Sequence, residues 1–582
     1  MKRIIIALPV LLLALLALPL LLPGQSSSPD LKQDSKQPDA KKDSTRPAAK
    51  NSDTRRQESD PALKAEFHTS DRCVACHNGL KTSSGEDISI GFQWRASIMA
   101  NSARDPYWQG SVRRESIDHP ESKSAVEDEC SSCHMPMIHL AAKAEGREGE
   151  VFAHLPLPAP KDGVTPAADG VSCSVCHQVE KDGLGTSATF NGNVVVAGAK
   201  SGSLHSGGLK TNMERPEYGP FVVDAGHQRV MQSSTGGFLP VEGDQMRDSA
   251  LCGSCHTLIT TARGPGGKEV GSLPEQMPYQ EWLHSDYSGR KTCQSCHMPE
   301  VEEPVAVTAL YGPLRAGMHR HEFVGSNFVM EQMLNDHHDE LRVNALPQEL
   351  TAAVDRTRRF LQTQAARVSI RDLQTTSNGL SLNVVVENLT GHKLPTAYPS
   401  RRAWLHVVVL DGNGHPVFES GALNPDGSIA GNHNDVDPLQ FEPHHNEITS
   451  PQQVEIFEPI LRDPEGKVTT GLLSAVGYLK DNRILPTGFN KQSAEKDIAV
   501  VGDAANDPNF TDKGSVIRYV VNTGNASGPF RVEAELWYQP IGFRWAHNLA
   551  PYKAAEPQRF LGYYESQAAH SALMLAKAEA IQ

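Results

Sequence analysis

No cysteine of this 582-residue chain stands alone: all ten fall in pairs with two residues between them, and each pair is followed at once by histidine. The first is Cys73, far beyond the apolar leader at the start of the chain, which excludes a lipid-anchored cysteine. An excess of basic charge is also missing. Lys and Arg number 55 against 69 Asp and Glu, a formal net charge of -14, which argues against nucleic acid as a partner and against a basic membrane-surface patch. Between Gln25 and about Pro61 large apolar residues are almost absent. Such a stretch cannot bury enough surface to offset its ordering entropy, so residues 25–61 read as a disordered linker.

The five cysteine pairs are Cys73/Cys76, Cys130/Cys133, Cys173/Cys176, Cys252/Cys255 and Cys293/Cys296, followed by His77, His134, His177, His256 and His297. Five disulfides would suit an exported chain, and paired cysteines also suit zinc, which sets the second pair about 15–20 residues after the first. Here the motifs begin at 73, 130, 173, 252 and 293, and neither alternative explains a histidine after every pair. C-x-x-C-H is the attachment signature of a c-type haem. Two thiols at this spacing reach the two vinyl groups of one porphyrin, and the next residue falls under the iron as proximal ligand. Five haem c groups are therefore expected, with the ten cysteines as anchors and the five histidines on iron.

Residues 1–24 read as an export segment. Lys2 and Arg3 precede an apolar run from Ile4 to Leu22, which serves as a cleaved signal peptide or a retained N-terminal anchor. Export to the periplasm or cell surface fits covalent haem attachment, and the anchor reading adds membrane attachment. Residues 62–340 form the expected pentahaem domain, rich in Gly, Pro and short helical fragments, with no major sheet and with porphyrins in place of a core. Over residues 341–368 Leu350, Val354, Phe360, Leu361 and Ala365 recur near helical spacing, so a connecting helix is expected, with Arg356, Arg358 and Arg359 toward solvent. From 369 to 545 the period becomes two. Leu380, Leu382, Val384 and Val386 alternate with Ser381, Asn383, Val385 and Glu387, and Phe530 to Tyr538 repeats the pattern. Asp411-Gly-Asn-Gly414 closes a strand as a hairpin would, and the whole reads as an antiparallel β-sandwich without cysteine and so without covalent haem. Residues 546–582 read as a loop and a helix, because Tyr563 to Gln582 lacks Pro and Gly. The fold class is multidomain α+β: a loop-rich, mainly α multihaem domain, then the sandwich.

The second axial ligands are less constrained. Outside the motifs, the stretch from His68 to His321 holds His68, His119, His139, His154, His205, His227, His284, His319 and His321. Four stand out as distal candidates. His227 follows Tyr218-Gly-Pro-Phe221, His284 lies nine residues before the fifth motif, and His319 and His321 follow the last motif with no motif of their own. Met99, Met135, Met137 and Met298 are alternatives, and a Met ligand would raise the potential. His392 of Gly391-His392-Lys-Leu-Pro-Thr396 is a candidate from the sandwich region, reaching across to an iron. His433, His444 and His445 with Asp435, Asp437 and Glu442 read as a polar surface loop or a metal site.

The segments Met99-Ala-Asn-Ser-Ala-Arg-Asp-Pro106, Asp169-Gly-Val-Ser-Cys173, Glu281-Trp282 and His321-Glu-Phe-Val-Gly-Ser-Asn327 resemble those of multihaem c-type cytochromes, a class that includes relatives of hydroxylamine oxidoreductase and small tetrahaem carriers. The resemblance covers about residues 66–335. It implies a distal-ligand role for His321, the histidine of an H-x-F-x-G-x-N segment. Gly391 to Thr396, Arg401 to His406 and Tyr478 to Gly488 resemble the C-terminal domain of some multihaem cytochromes. Nitrite-reducing relatives have C-x-x-C-K at the catalytic haem, and this chain has none. The expectation is an exported cytochrome that relays electrons through five haems, with redox proteins or a quinol-linked donor or acceptor as partners and no catalytic residue assigned. The alternative is a multihaem oxidoreductase with one open haem acting on a small nitrogen or sulfur compound.

Overall fold

The computed structural model describes residues 67–197 and 215–582. The leader, the linker and His205 lie outside the described residues. From Phe67 onward the described chain belongs to one compact unit, and no described helix is long and apolar enough to cross a membrane.

The first half is built from short helices. α1 (Pro106–Asp118) starts where Asp105 accepts the Tyr107 and Trp108 N–H groups at 2.8 and 3.0 Å, with proline at the first helical position. α2 (Lys123–His134) ends in the second motif. The first, third, fourth and fifth motifs each begin or sit within a single helical turn. A hairpin of β1 (Leu258–Arg263) and β2 (Glu269–Gln276) follows the fourth motif. α3 (Phe328–Asp336) is capped by Asn327, whose side chain accepts the Met330 N–H at 3.2 Å.

α4 (Pro347–Gln364) is the expected connecting helix, capped by Glu349 on the Leu346 N–H at 3.0 Å. It buries Leu350, Ala353, Val354, Thr357 and Leu361. Arg359 is exposed as expected, whereas Arg356 and Arg358 are only partly so: Arg356 lies 3.5 Å from Glu322, and Arg358 lies over the Phe328 ring.

The sandwich is two five-stranded sheets. The strands are β3 (Ala366–Thr376), β4 (Gly379–Asn388), β5 (Arg402–Leu410), β6 (Pro416–Ser420), β7 (Glu447–Ile448), β8 (Ile456–Phe457), β9 (Phe510–Thr511), β10 (Gly514–Asn522), β11 (Arg531–Gln539) and β12 (Leu573–Ile581). One sheet runs β6-β5-β11-β12 with β8 on β5, and the other β7-β10-β4-β3 with β9 on β10. Leu382, Val384 and Val386 of one sheet share a buried cluster with Val407, Val532 and Leu536 of the other. All the pairs are antiparallel except β7–β10, which is parallel. The same cluster takes in Met277, Phe328 and Val329 from the first half. The boundary near residue 340 is thus a change of element type across continuous packing.

The C terminus departs from expectation. The helix stops at Gln567, and residues 573–581 are the edge strand β12, paired with β11 from Arg531↔Ile581 to Tyr538↔Leu573. Helix propensities differ by only about 0.7 kcal/mol per ordinary residue. The open edge of β11 offers a full ladder of backbone partners, and Leu575 goes into the main core.

Candidate haem-binding site

All five motifs line one cavity of about 1880 Å³, well above the roughly 300–1,000 Å³ of a single small-molecule site. Its wall is mostly apolar and includes all ten cysteines and all five motif histidines. The cysteines are unpaired thiols.

Four of the five motif rings are oriented in the same way. Nδ1 meets a backbone carbonyl far away in sequence: Val307 for His77 at 2.6 Å, Ser102 for His134 at 3.0 Å, Tyr218 for His177 at 2.5 Å and Val324 for His297 at 2.6 Å. Such a contact fixes the tautomer, leaves Nε2 available to a metal and raises the basicity of the ring as a ligand. His256 is the exception and has no ring hydrogen bond among the described residues. Burial keeps these imidazoles neutral, and His134 and His256 are pushed down to about 4. Neutral imidazole is the form that ligates.

The resemblance segments supply much of this support. Ser102 and the capping residue Asp105 belong to the Met99–Pro106 stretch, and Val324 belongs to the His321–Asn327 stretch. Asp169 accepts the Ser70 N–H and hydroxyl, both at 2.7 Å, which joins the entrance of motif one to that of motif three. Gly170 has φ +58°, and a Cβ there would stand 2.6 Å from the Met99 carbonyl oxygen, so this approach needs glycine.

Two distal candidates meet proximal rings. The His321 ring centre is 6.4 Å from that of His177, with planes 13° apart. The His392 ring centre is 6.3 Å from that of His297, with planes 17° apart. A metal–imidazole bond of about 2 Å, with the ring centre about 1.1 Å behind the bonding nitrogen, sets two rings facing each other across one metal roughly 6.3 Å apart. Nδ1 of His321 is on the His319 carbonyl at 3.0 Å and Nδ1 of His392 on the Lys393 carbonyl at 2.9 Å, so neither Nε2 has a partner among the described residues. Burial holds His321 down to about 3 and His392 to about 4.

The other candidates are placed differently. His319 lines the cavity with Nδ1 on the Met298 carbonyl at 2.5 Å and no partner for Nε2 among the described residues. His227 lines it too, but its ring bridges Asp224 at 2.5 Å and the Tyr311 carbonyl at 2.8 Å, so both nitrogens are engaged. His284 lies outside the lining, with Nδ1 on the Gln280 carbonyl at 2.8 Å. Met99 and Met298 line the cavity. Met135 and Met137 are almost fully buried elsewhere. His444 is buried between Glu455 at 2.7 Å and Asp507 at 3.0 Å, while His433 and His445 share Glu442. No group of three or more metal-ligating side chains occurs among the described residues.

A buried network holds His392, and no motif in the sequence marks its members. Lys393 is fully buried, with Nζ 2.7 Å from Asp481 and its backbone N–H on Glu281 at 3.1 Å. Arg483 bridges Asp481 at 2.7 Å and Glu281 at 2.9 Å. Two positive and two negative side chains therefore balance. Burial opposes the Asp481 charge, but Arg483 and Lys393 hold its carboxyl well below the usual range. The hydroxyl of Thr396 donates to Glu281 at 2.5 Å, and Asn388 donates to the His392 carbonyl at 2.7 Å.

The thiols also show which motifs adjoin. Cys73 lies against Cys173, Cys133 against Cys255, and Cys252 against Cys293. Cys176 is close enough to Cys252 and Cys255 to act on both thiols. Motif four thus lies against motifs two and five and near motif three, and motif one joins through motif three.

No family model matches the chain, and no curated protein does. Among solved structures it is similar to a penta-heme cytochrome c552 from Thermochromatium tepidum, at 15% identity and a TM-score of 0.47, over 88% of this chain and 99% of that one. At that score the likeness carries neither fold nor function.

Proposed function

We propose that the chain is a multihaem c-type cytochrome that holds five haems in this cavity and passes electrons among them. The observation that carries the proposal is the pair of imidazole couples, His177/His321 and His297/His392, spaced as two ligands of one iron in a cavity lined by every C-x-x-C-H motif. The residues present fit the group: thiols for the vinyl carbons, neutral imidazoles for iron and an apolar wall for the ring faces. Bound haem supplies one-electron chemistry. The chain's own residues fix the order of the sites, orient the imidazoles through distant carbonyls and exclude water. His392 makes the sandwich part of the redox site, because it carries a ligand for motif five. Electrons enter and leave through a redox protein or a quinol-linked donor or acceptor, and the leader takes the chain out of the cytoplasm.

The test is haem content and intact mass of the purified protein, followed by optical potentiometry. Five covalent haems that titrate reversibly support the proposal. Fewer than five, or haems that do not exchange electrons with mediators, contradict it.

A further inference from the structure

The wall of the cavity is charged unevenly from one motif to another. At motif two it carries carboxylates: Asp105 and Glu115 from the cap and body of α1, Glu129 beside Cys130, and Glu275 of β2. Burial raises the Cys130 thiol, and Glu129, Glu275 and Glu115 are close enough to raise it further. Asp105 accepts the N–H of Trp108, whose ring stacks on His134 at 4.4 Å. Glu275 accepts the Thr260 hydroxyl at 2.6 Å, and Glu115 accepts the Leu472 N–H at 2.8 Å. No Lys or Arg of α1, α2, β1 or β2 lines the cavity. Arg114 is turned to Thr470, and Arg263 to Glu269 at 3.2 Å. Burial pushes Asp105 up to about 6 and Glu129 and Glu275 up to about 7, so all three are mostly ionised at pH 8.

At motif five the wall is basic. Arg401 ends the segment after β4 that delivers His392, with Nη1 on the Thr396 carbonyl at 2.9 Å. It is close enough to act on His297, on His392 and on the motif-four His256. α4 adds Arg356 and Arg359, beside Phe360, whose ring centre is 5.9 Å from that of His297. Arg356 faces Glu322 at 3.5 Å, and Lys291 and Glu300 on the two flanks of the motif offset each other. The quartet behind His392 is balanced, so the excess on this side is positive and comes from Arg359 and Arg401.

Ferric haem carries one more positive charge than ferrous haem. A carboxylate beside the site therefore favours the oxidised form and a cation the reduced form, more strongly in an apolar cavity than in water. We infer that these fixed charges make the haem of motif two the low-potential end and the haem of motif five the high-potential end, so that electrons run from motif two through motif four to motif five. The route follows the thiol neighbours Cys133/Cys255 and Cys252/Cys293. The inference rests on the haem reading and adds to it a direction of flow.

The test is potentiometric titration of the full-length holoprotein at pH 8, followed by EPR, with haem content measured on every sample. The signal lost in His392→Ala marks motif five, and the haem missing from Cys130→Ala/Cys133→Ala marks motif two. Motif five is expected to be reduced before motif two. Arg401→Gln is expected to lower the motif-five potential and Arg401→Lys to keep it, while Glu275→Gln raises the motif-two potential. Glu129→Gln takes the place of Glu275→Gln if that variant fails to load five haems. A shift confined to the motif beside the substitution, and rescued by lysine, is what a charge produces and lost packing does not. Reduction of motif two before or together with motif five overturns the inference, and so does an Arg401→Gln variant with five haems and unmoved potentials. A parent with fewer than five haems overturns the haem reading, and the inference with it.

Discussion

His444 shows how one residue can carry a pH dependence. Burial alone would lower its pKa, but Glu455 and Asp507, at 2.7 and 3.0 Å, raise it above the ordinary value. A folded-state pKa above the unfolded value of about 6.5 contributes stability that is fully present below that pH and is lost as pH rises through the folded pKa. The denaturation midpoint should therefore fall from about pH 6.5 upward, and His444→Gln should flatten that fall. A variant with an unchanged pH profile would show that the ring is neutral throughout. At this scale the motif cysteines and histidines stand out in the sequence, because the haem attachment proposed for them imposes a spacing. The distal ligands were only partly so. His227, His284, His321 and His392 look alike as isolated histidines, and what separates them is where Nδ1 is held and what Nε2 faces. The carbonyls of Ser102, Tyr218, Val307 and Val324 left no sign at all, since any residue carries one.

The segment after β4 delivers His392, and the buried quartet of Lys393, Asp481, Arg483 and Glu281 locks it. Removing one member leaves an unbalanced buried charge, which costs about 3–5 kcal/mol. Glu281→Gln should lower the denaturation midpoint accordingly and perturb the spectrum of the motif-five haem while the other four keep theirs. Equal disturbance of all five would show that the quartet supports the fold generally. The alternating strands of the sandwich were legible because one face of each is buried. β12 was not, because Leu573 to Ile581 carries helix-favouring residues and only the vacant edge of β11 makes it a strand. Leu575→Ala removes a core contact of that strand and should cost about 2–5 kcal/mol, read as a lower denaturation midpoint. No change in the midpoint would place β12 outside the cooperative core.

Across the whole molecule the sequence spaces the motifs but says nothing of their order in space. The thiol neighbours make motif four the junction, against motifs two and five and near motif three. A Cys252→Ala/Cys255→Ala variant, loaded with four haems, should leave motifs two and five cut off from motifs one and three. Its stopped-flow reduction should then split into several phases where the parent shows one, and an unchanged single phase would refute the junction. The most direct test of the account is low-temperature EPR of the oxidised protein beside its His321→Ala and His392→Ala variants, each confirmed to hold five haems. Two low-spin signals of near-parallel bis-imidazole haems are expected, one lost in each variant and replaced by a high-spin signal. If both signals survive both substitutions, the imidazole couples do not ligate iron and the proposed arrangement of the site is wrong.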